Sequence, residues 1–167
     1  MIADKIQGAL NRQIAEENYA SQYYLAMASW CGKHGLQGSS KFLYLHASQE
    51  REHMMKLFRY VNDAGGHARV SAVQEPPAEF KSISNVMELV LEHERRLTSA
   101  INTLVETCLS EKDYSTFNFL QWYVAEQHEE ERLFTSILDL IKITGTDGRG
   151  LFLIDKEIGK LSEKTAQ

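Results

Sequence analysis

Four long stretches of this chain each carry a seam of apolar residues at alternating three- and four-residue spacing. That spacing is the mark of helices packed side by side. The first seam is Leu10, Ile14, Glu17, Ser21, Tyr24, Ala28 and Cys31, and the second is Leu43, Ala47, Glu50, Met54, Leu57, Val61 and Ala64. The third reads Met87, Leu91, Glu94, Thr98, Ile101, Val105 and Cys108, and the fourth reads Leu120, Tyr123, Gln127, Glu130, Phe134, Ile137 and Ile141. The only prolines are the adjacent Pro76 and Pro77, so little else forbids long helices. No stretch has the two-residue alternation of a strand. The expected class is all-α.

Glycines set the boundaries. A first helix is expected from Ala3 to His34, ahead of the cluster Gly32, Gly35 and Gly38. Ser39 or Ser40 offers a cap for a second, which runs to about Ala64 and stops at Gly65 and Gly66. A third is expected from near Ser84 to Lys112, and a fourth, capped by Asp113 or Ser115, to near Thr144. A short fifth piece covers about Gly148 to Leu161, with a frayed tail from Ser162 to Gln167. The 167 residues suit one domain, 1–167, with the bundle over about 3–144.

Short links join helices one to two and three to four, so each pair is expected as an antiparallel hairpin. Between the pairs lies GGHARVSAVQEPPAEFKSIS. Extended at about 3.3–3.6 Å per residue, it spans well over 40 Å, and a helix of about 28 residues is about 42 Å long. The link can therefore cross the length of the bundle, leaving helices two and three parallel. Val70, Val73 and Phe80 give it apolar residues to pack with. The alternative is a surface excursion between antiparallel helices.

The charge balance is -5, with no Lys/Arg stripe, which argues against nucleic acid as a partner. Cys31 and Cys108 stand alone, so no C-x-x-C metal knot is available, and both read as small core residues. No leading basic-then-apolar segment or membrane-length apolar run occurs, and the cytoplasm is the expected location.

The anomaly is that each seam contains a glutamate near the middle of its helix: Glu17, Glu50, Glu94 and Glu130. Whichever way each helix points, the four carboxylates fall at one height. A buried ionised carboxylate loses several kcal/mol of solvation even after relaxation, and a whole domain is stable by only about 5–15 kcal/mol. Like charges also raise each other's pKa. No seam lysine or arginine neutralises them, whereas one or two divalent cations would. Glu50 and His53 form Glu-x-x-His, which puts both on one face. Four glutamates and one histidine make a hard, oxygen-rich set that suits iron or manganese better than zinc or copper(I). His46, His93 and His128 read as surface or flanking residues, and Tyr23, Trp122 and Tyr123 as packing residues.

The segments EENYASQYYLAMA, ASQEREHMMKL, LEHERRL and WYVAEQHEEE resemble the bacterial non-haem ferritins. The resemblance spans essentially the whole chain, including the long crossover and short fifth helix. It implies a ferritin-like four-helix bundle and an iron-storage protein with ferroxidase activity. Its substrates would be Fe(II) and dioxygen or hydrogen peroxide, handled at a di-iron centre in a homo-oligomeric 24-mer cage.

Carried over, the resemblance gives one iron to Glu17, Glu50 and His53, and the other to Glu50, Glu94 and Glu130, with Glu50 bridging. Gln127 would orient water or bound oxygen, and Tyr24 would hydrogen-bond at the site and serve as an electron donor. A third iron would sit with Glu126, Glu129 and Glu130. Its remaining ligand position holds Gln49 where a glutamate is usual, which weakens it. Arg51 and Glu130 replace the methionine and histidine of bacterioferritins, so haem is not expected. The fifth segment's stripe, Leu151, Ile154, Ile158 and Leu161, packs on its own bundle or, by the resemblance, lines a four-fold axis. The rival readings are a small di-iron enzyme that stores nothing and a metal-free helical scaffold.

Overall fold

The computed structural model describes residues 2–165. Its elements are α1 (Asp4–Lys33), α2 (Gln37–Asp63), α3 (Ile83–Ser110), α4 (Tyr114–Phe119), α5 (Gln121–Thr144) and α6 (Gly148–Thr165). There is no strand among the described residues, and no helix among them is long and apolar enough to cross a membrane.

Two apolar clusters fix the directions of the helices. One joins the C-terminal half of α1 (Met27, Ala28, Cys31), the start of α2 (Phe42, Leu43), the start of α3 (Val86, Met87, Val90) and the end of α5 (Phe134, Ile137, Ile141). The other joins the start of α1 (Ile6, Leu10, Ile14), the end of α2 (Leu57, Val61), the end of α3 (Ile101, Leu104, Cys108) and the start of α5 (Tyr123). Helices α2 and α3 both begin at the first end and finish at the second, so they are parallel, and residues 64–82 make the crossover.

The crossover is held by polar contacts more than by the apolar residues the sequence offers. Asn11 Nδ2 donates to the His67 carbonyl at 3.0 Å, and Arg69 N donates to Asn11 Oδ1 at 2.7 Å. His67 N donates to Gln7 Oε1 at 2.8 Å. Phe80 packs on Tyr23 and Trp30, and Val73 is half-buried. Val70, expected to pack, is 84% exposed: the segment is tied down here by the Asn11 bonds to the backbone of His67 and Arg69, and the buried side chain is the small Ala68.

The start of α2 differs from expectation. The helix begins at Gln37, and neither Ser39 nor Ser40 caps it. Both serines are buried in its first turn, where Ser40 Oγ donates to the Ala28 carbonyl at 2.8 Å. The cap comes from α6. The Asp155 carboxylate accepts from Gly38 N at 2.9 Å, from Ser39 N at 2.7 Å and from Ser39 Oγ at 2.7 Å. A distant carboxylate thus satisfies amides that would otherwise be unpaired and meets the positive end of the helix. Gly38 makes room for it, since a Cβ there would lie 2.1 Å from the Asp155 carbonyl oxygen.

Ser82 caps α3 by accepting from Asn85 N at 3.1 Å, two residues before the expected start at Ser84. Asp113, one of the two expected caps, accepts from Thr116 N at 3.0 Å and from Thr116 Oγ1 at 2.6 Å. The expected fourth helix is interrupted at Leu120. There Gln121 Nε2 donates to the Phe117 carbonyl at 2.8 Å, taking an acceptor of the helical ladder. The fifth helix is longer than expected and continues through Thr165, so most of the supposedly frayed tail is helical. Ala166 and Gln167, its last two residues, lie outside the described residues. Ile154 and Ile158 are fully buried against the end of their own bundle. Cys31 and Cys108 are free thiols, one in each cluster.

Candidate metal centre

Between the two apolar clusters lies a polar belt contributed by every long helix. Glu17 (α1), Glu50 and His53 (α2), Glu94 (α3), and Gln127 and Glu130 (α5) are all at most 7% exposed. Helical periodicity forces this: each carboxylate occupies a seam position, and the seam faces inward. Ligand atoms of Glu17, Glu50 and His53 lie within 4.8 Å of one another. His53 Nδ1 is 3.4 Å from Glu50 Oε2 and 3.9 Å from Glu17 Oε2.

Glu17 has one side of its carboxylate tied down, and Glu94 both. Glu17 Oε1 accepts from Gln13 Nε2 at 2.6 Å and from the Tyr123 hydroxyl. Glu94 Oε1 accepts from the Tyr24 hydroxyl, and its Oε2 from Gln127 Nε2 at 3.0 Å. Gln127 Nε2 also reaches the Glu94 carbonyl at 3.2 Å. By contrast, Glu17 Oε2, Glu50 Oε2, Glu130 Oε2 and His53 Nδ1 are buried with no hydrogen-bond partner. Buried polar atoms are almost always paired. Four unpaired donor-type ligand atoms at one height are what a cation would join.

The acid–base state follows from burial and proximity. Burial first, and then the Glu50 charge, raises Glu17 well above the usual carboxylate range. Burial first, and then Glu50 and Glu130, does the same to Glu94. Burial pushes Glu50 up as well, but His53, the neighbouring Glu17 carboxyl and the His46 charge outweigh it, and Glu50 ends lowered. Burial opposes charge on His53, yet Glu50 and Glu126 leave it raised. The belt therefore favours the protonated form of Glu17 and Glu94 beside a Glu50 that favours the ionised form. Cations entering such a belt displace protons.

The remaining expected residues fall less deeply. Glu126 is half-buried, with Oε1 3.9 Å from His53 Nε2. Glu129 is exposed, and Gln49 Oε1 is buried without a partner. His128 is exposed as expected.

Several residues have places that the sequence reading did not give them. His46, expected at the surface or flanking, is 1% exposed, with Nε2 3.3 Å from Glu130 Oε2. His93, likewise expected outside, is 3% exposed among Tyr19, Tyr23 and Tyr24. Burial, aided by the Arg96 charge, lowers His93 to about 4, so it is neutral. Tyr123, read as packing alone, also hydrogen-bonds Glu17, and Gln13 was not singled out. The missed signal was spacing: Gln13 precedes Glu17 by four residues, and His46 precedes Glu50 by four, which places each pair on one face.

The ferritin-like domain model matches residues 7–144. The chain is 52% identical over 164 residues to a probable bacterial non-heme ferritin-like protein of Haemophilus influenzae, covering 98% of this chain and 99% of that one. It is 48% identical over 162 residues to the bacterial non-heme ferritin of Campylobacter jejuni, covering 97% of each. Among solved structures it is similar to an open-pore ferritin from the hyperthermophilic archaeon Archaeoglobus fulgidus. That likeness has a TM-score of 0.93 at 43% identity and covers 95% of this chain and 98% of that one. With the parallel α2 and α3, the crossover and the carboxylate belt already in place, these matches show that the chain belongs to the ferritin family.

Proposed function

We propose that this chain is an iron-storage ferroxidase: it oxidises Fe(II) to Fe(III) and deposits the product as a ferric mineral inside a hollow shell. The observation that carries this reading is the set of unpaired buried ligand atoms on Glu17, Glu50, His53 and Glu130.

In this reading Glu17, Glu50 and His53 bind one Fe(II), and Glu50, Glu94 and Glu130 the other, with Glu50 shared. Each iron gives one electron to dioxygen or hydrogen peroxide. The anionic oxygen donors favour the higher charge of Fe(III). Gln127 and Tyr24, both donating to Glu94, hold that carboxylate in place, and Tyr24 stands where an electron donor would. Gln49, Glu126, Glu129 and Glu130 would make the third iron site, with neutral Gln49 weakening it. The whole chain acts as a single domain, copies assemble into a 24-mer cage, and the cage works in the cytoplasm. The one acid in DYSTFNFL, Asp113, is committed to capping α4, so iron entry through that segment would lack a free carboxylate.

The test is anaerobic Fe(II) addition followed by air, on wild type and Glu50→Ala, read by absorbance and light scattering. The reading expects a rapid first phase of two irons per chain, slower mineralisation in a large particle, and loss of the rapid phase in the variant. Uptake that stops at two irons in a small oligomer would instead identify a di-iron enzyme that stores nothing.

A further inference from the structure

Glu130 meets a partner that its own helix does not supply. His46 lies one turn before Glu50 on α2, and its ring is fixed on several sides. Nδ1 faces the Phe42 carbonyl oxygen at 3.1 Å. The ring packs on Phe42 with centroids 4.2 Å apart and on Phe134 at 5.2 Å. Nε2 is left pointing at Glu130 Oε2, 3.3 Å away, and the two side chains are 2% and 9% exposed. The contact is at ion-pair distance and is not a formed hydrogen bond, so the oxygen is kept close to His46 yet still open to a cation. Nothing in the sequence reading gave His46 a role.

From this geometry we infer that His46 is a positioning residue: it holds the Glu130 carboxylate on the α2 side of the belt and thereby builds the second metal position, the one made with Glu94. The inference rests on the proposed metal centre. The first position draws its ligands from Glu17, Glu50 and His53, which already lie within 4.8 Å of one another. Tyr123 and Gln13 position Glu17, and the Glu50–His53 contact lies within a single helix turn. Glu94 is positioned by Tyr24 and Gln127. Glu130 has only His46 for this purpose among the described contacts. A carboxylate on a free side chain samples several rotamers, and ordering it costs part of the binding free energy. Groups that orient metal ligands typically contribute about 10–100-fold in affinity.

The experiment is anaerobic titration of the assembled, chelator-stripped protein with Co(II), a redox-inert probe with a visible spectrum. Wild type, His46→Leu and His46→Gln are compared. Leucine fills the space between Phe42 and Phe134 without a polar atom, while glutamine restores a donor within reach of Glu130. Wild type binds two Co(II) per chain tightly, ahead of any weaker third ion at the Gln49 position. His46→Leu retains one site at wild-type affinity and spectrum and loses about tenfold or more at the other, and His46→Gln recovers part of that loss. Two sites unchanged in His46→Leu, or both weakened in parallel, would overturn the assignment. If wild type binds no pair of ions, the metal centre itself fails and the fault lies with the functional reading.

Discussion

Glu17→Gln isolates the cost of keeping a carboxyl in the dry interior. In the metal-free protein Glu17 is 0% exposed. Its Oε1 accepts from Gln13 and Tyr123, while the other oxygen faces Glu50 and His53. Glutamine keeps the same acceptor and puts an N–H where the protonated acid has its O–H, on the side that faces Glu50. The variant is therefore a permanent copy of the protonated state. The unfolded chain releases this proton in the ordinary carboxylate range, and the folded chain holds it well above that range. Raising the pH between those two values favours the unfolded chain, so the stabilising contribution is complete at low pH and is lost as pH rises through the folded pKa. The slope is about 1.4 kcal/mol per pH unit for each retained proton. Between the ordinary carboxylate range and the folded pKa the wild type therefore loses stability at that slope, and the variant keeps it. At about 2–4 °C per kcal/mol for a chain of this size, each pH unit of that range separates the two Tm values by roughly 3–6 °C. Calorimetry of both stripped proteins, at one concentration and scan rate, should show the smallest difference in Tm at the foot of the ordinary carboxylate range and an increasingly more stable variant as pH rises above it. Parallel pH dependences would refute the shifted proton at Glu17.

Three further outcomes follow from packing and capping. Tyr123→Phe removes the hydroxyl that donates to Glu17 but leaves the ring stacked on Trp122 at 4.7 Å; thermal or denaturant unfolding should show a loss of about 0.5–1.5 kcal/mol. Asp155→Ala removes the cap that α6 places on α2 and should cost about 0.5–2 kcal/mol, with limited proteolysis cutting α6 sooner than in wild type. Burial raises the Cys31 thiol to about 12 and the Cys108 thiol to about 11; both should resist alkylation in the native protein near pH 8 and react fully in denaturant, as mass spectrometry would show.

The sequence exposes what repeats and hides what does not. A glutamate inside an apolar seam is visible because it breaks a period, so Glu17, Glu50, Glu94 and Glu130 could be read as one belt before any coordinates. Helix direction was partly legible, because the length of the crossover allowed α2 and α3 to be parallel without requiring it; the two apolar clusters decide it. Residues that support the belt were harder to see. His46 lies off the α2 seam, and only its four-residue spacing from Glu50 hints that it faces inward. Tyr123 lies on its seam, but a tyrosine there reads equally well as packing, and its hydroxyl finds Glu17 only through a contact between α1 and α5. The cap of α2 was not legible at all: Ser39 is a local candidate, whereas Asp155 is 116 positions away. Local rules find local caps, and a cap supplied by tertiary packing leaves no nearby signal.

The most direct test of the metal centre is diffraction from crystals loaded anaerobically with Fe(II), with anomalous maps measured at the iron edge. Two peaks are expected within the belt: one among Glu17, Glu50 and His53, and a second among Glu50, Glu94 and Glu130. Iron only at exposed carboxylates such as Glu129, with the belt empty at saturating metal, would rule the centre out.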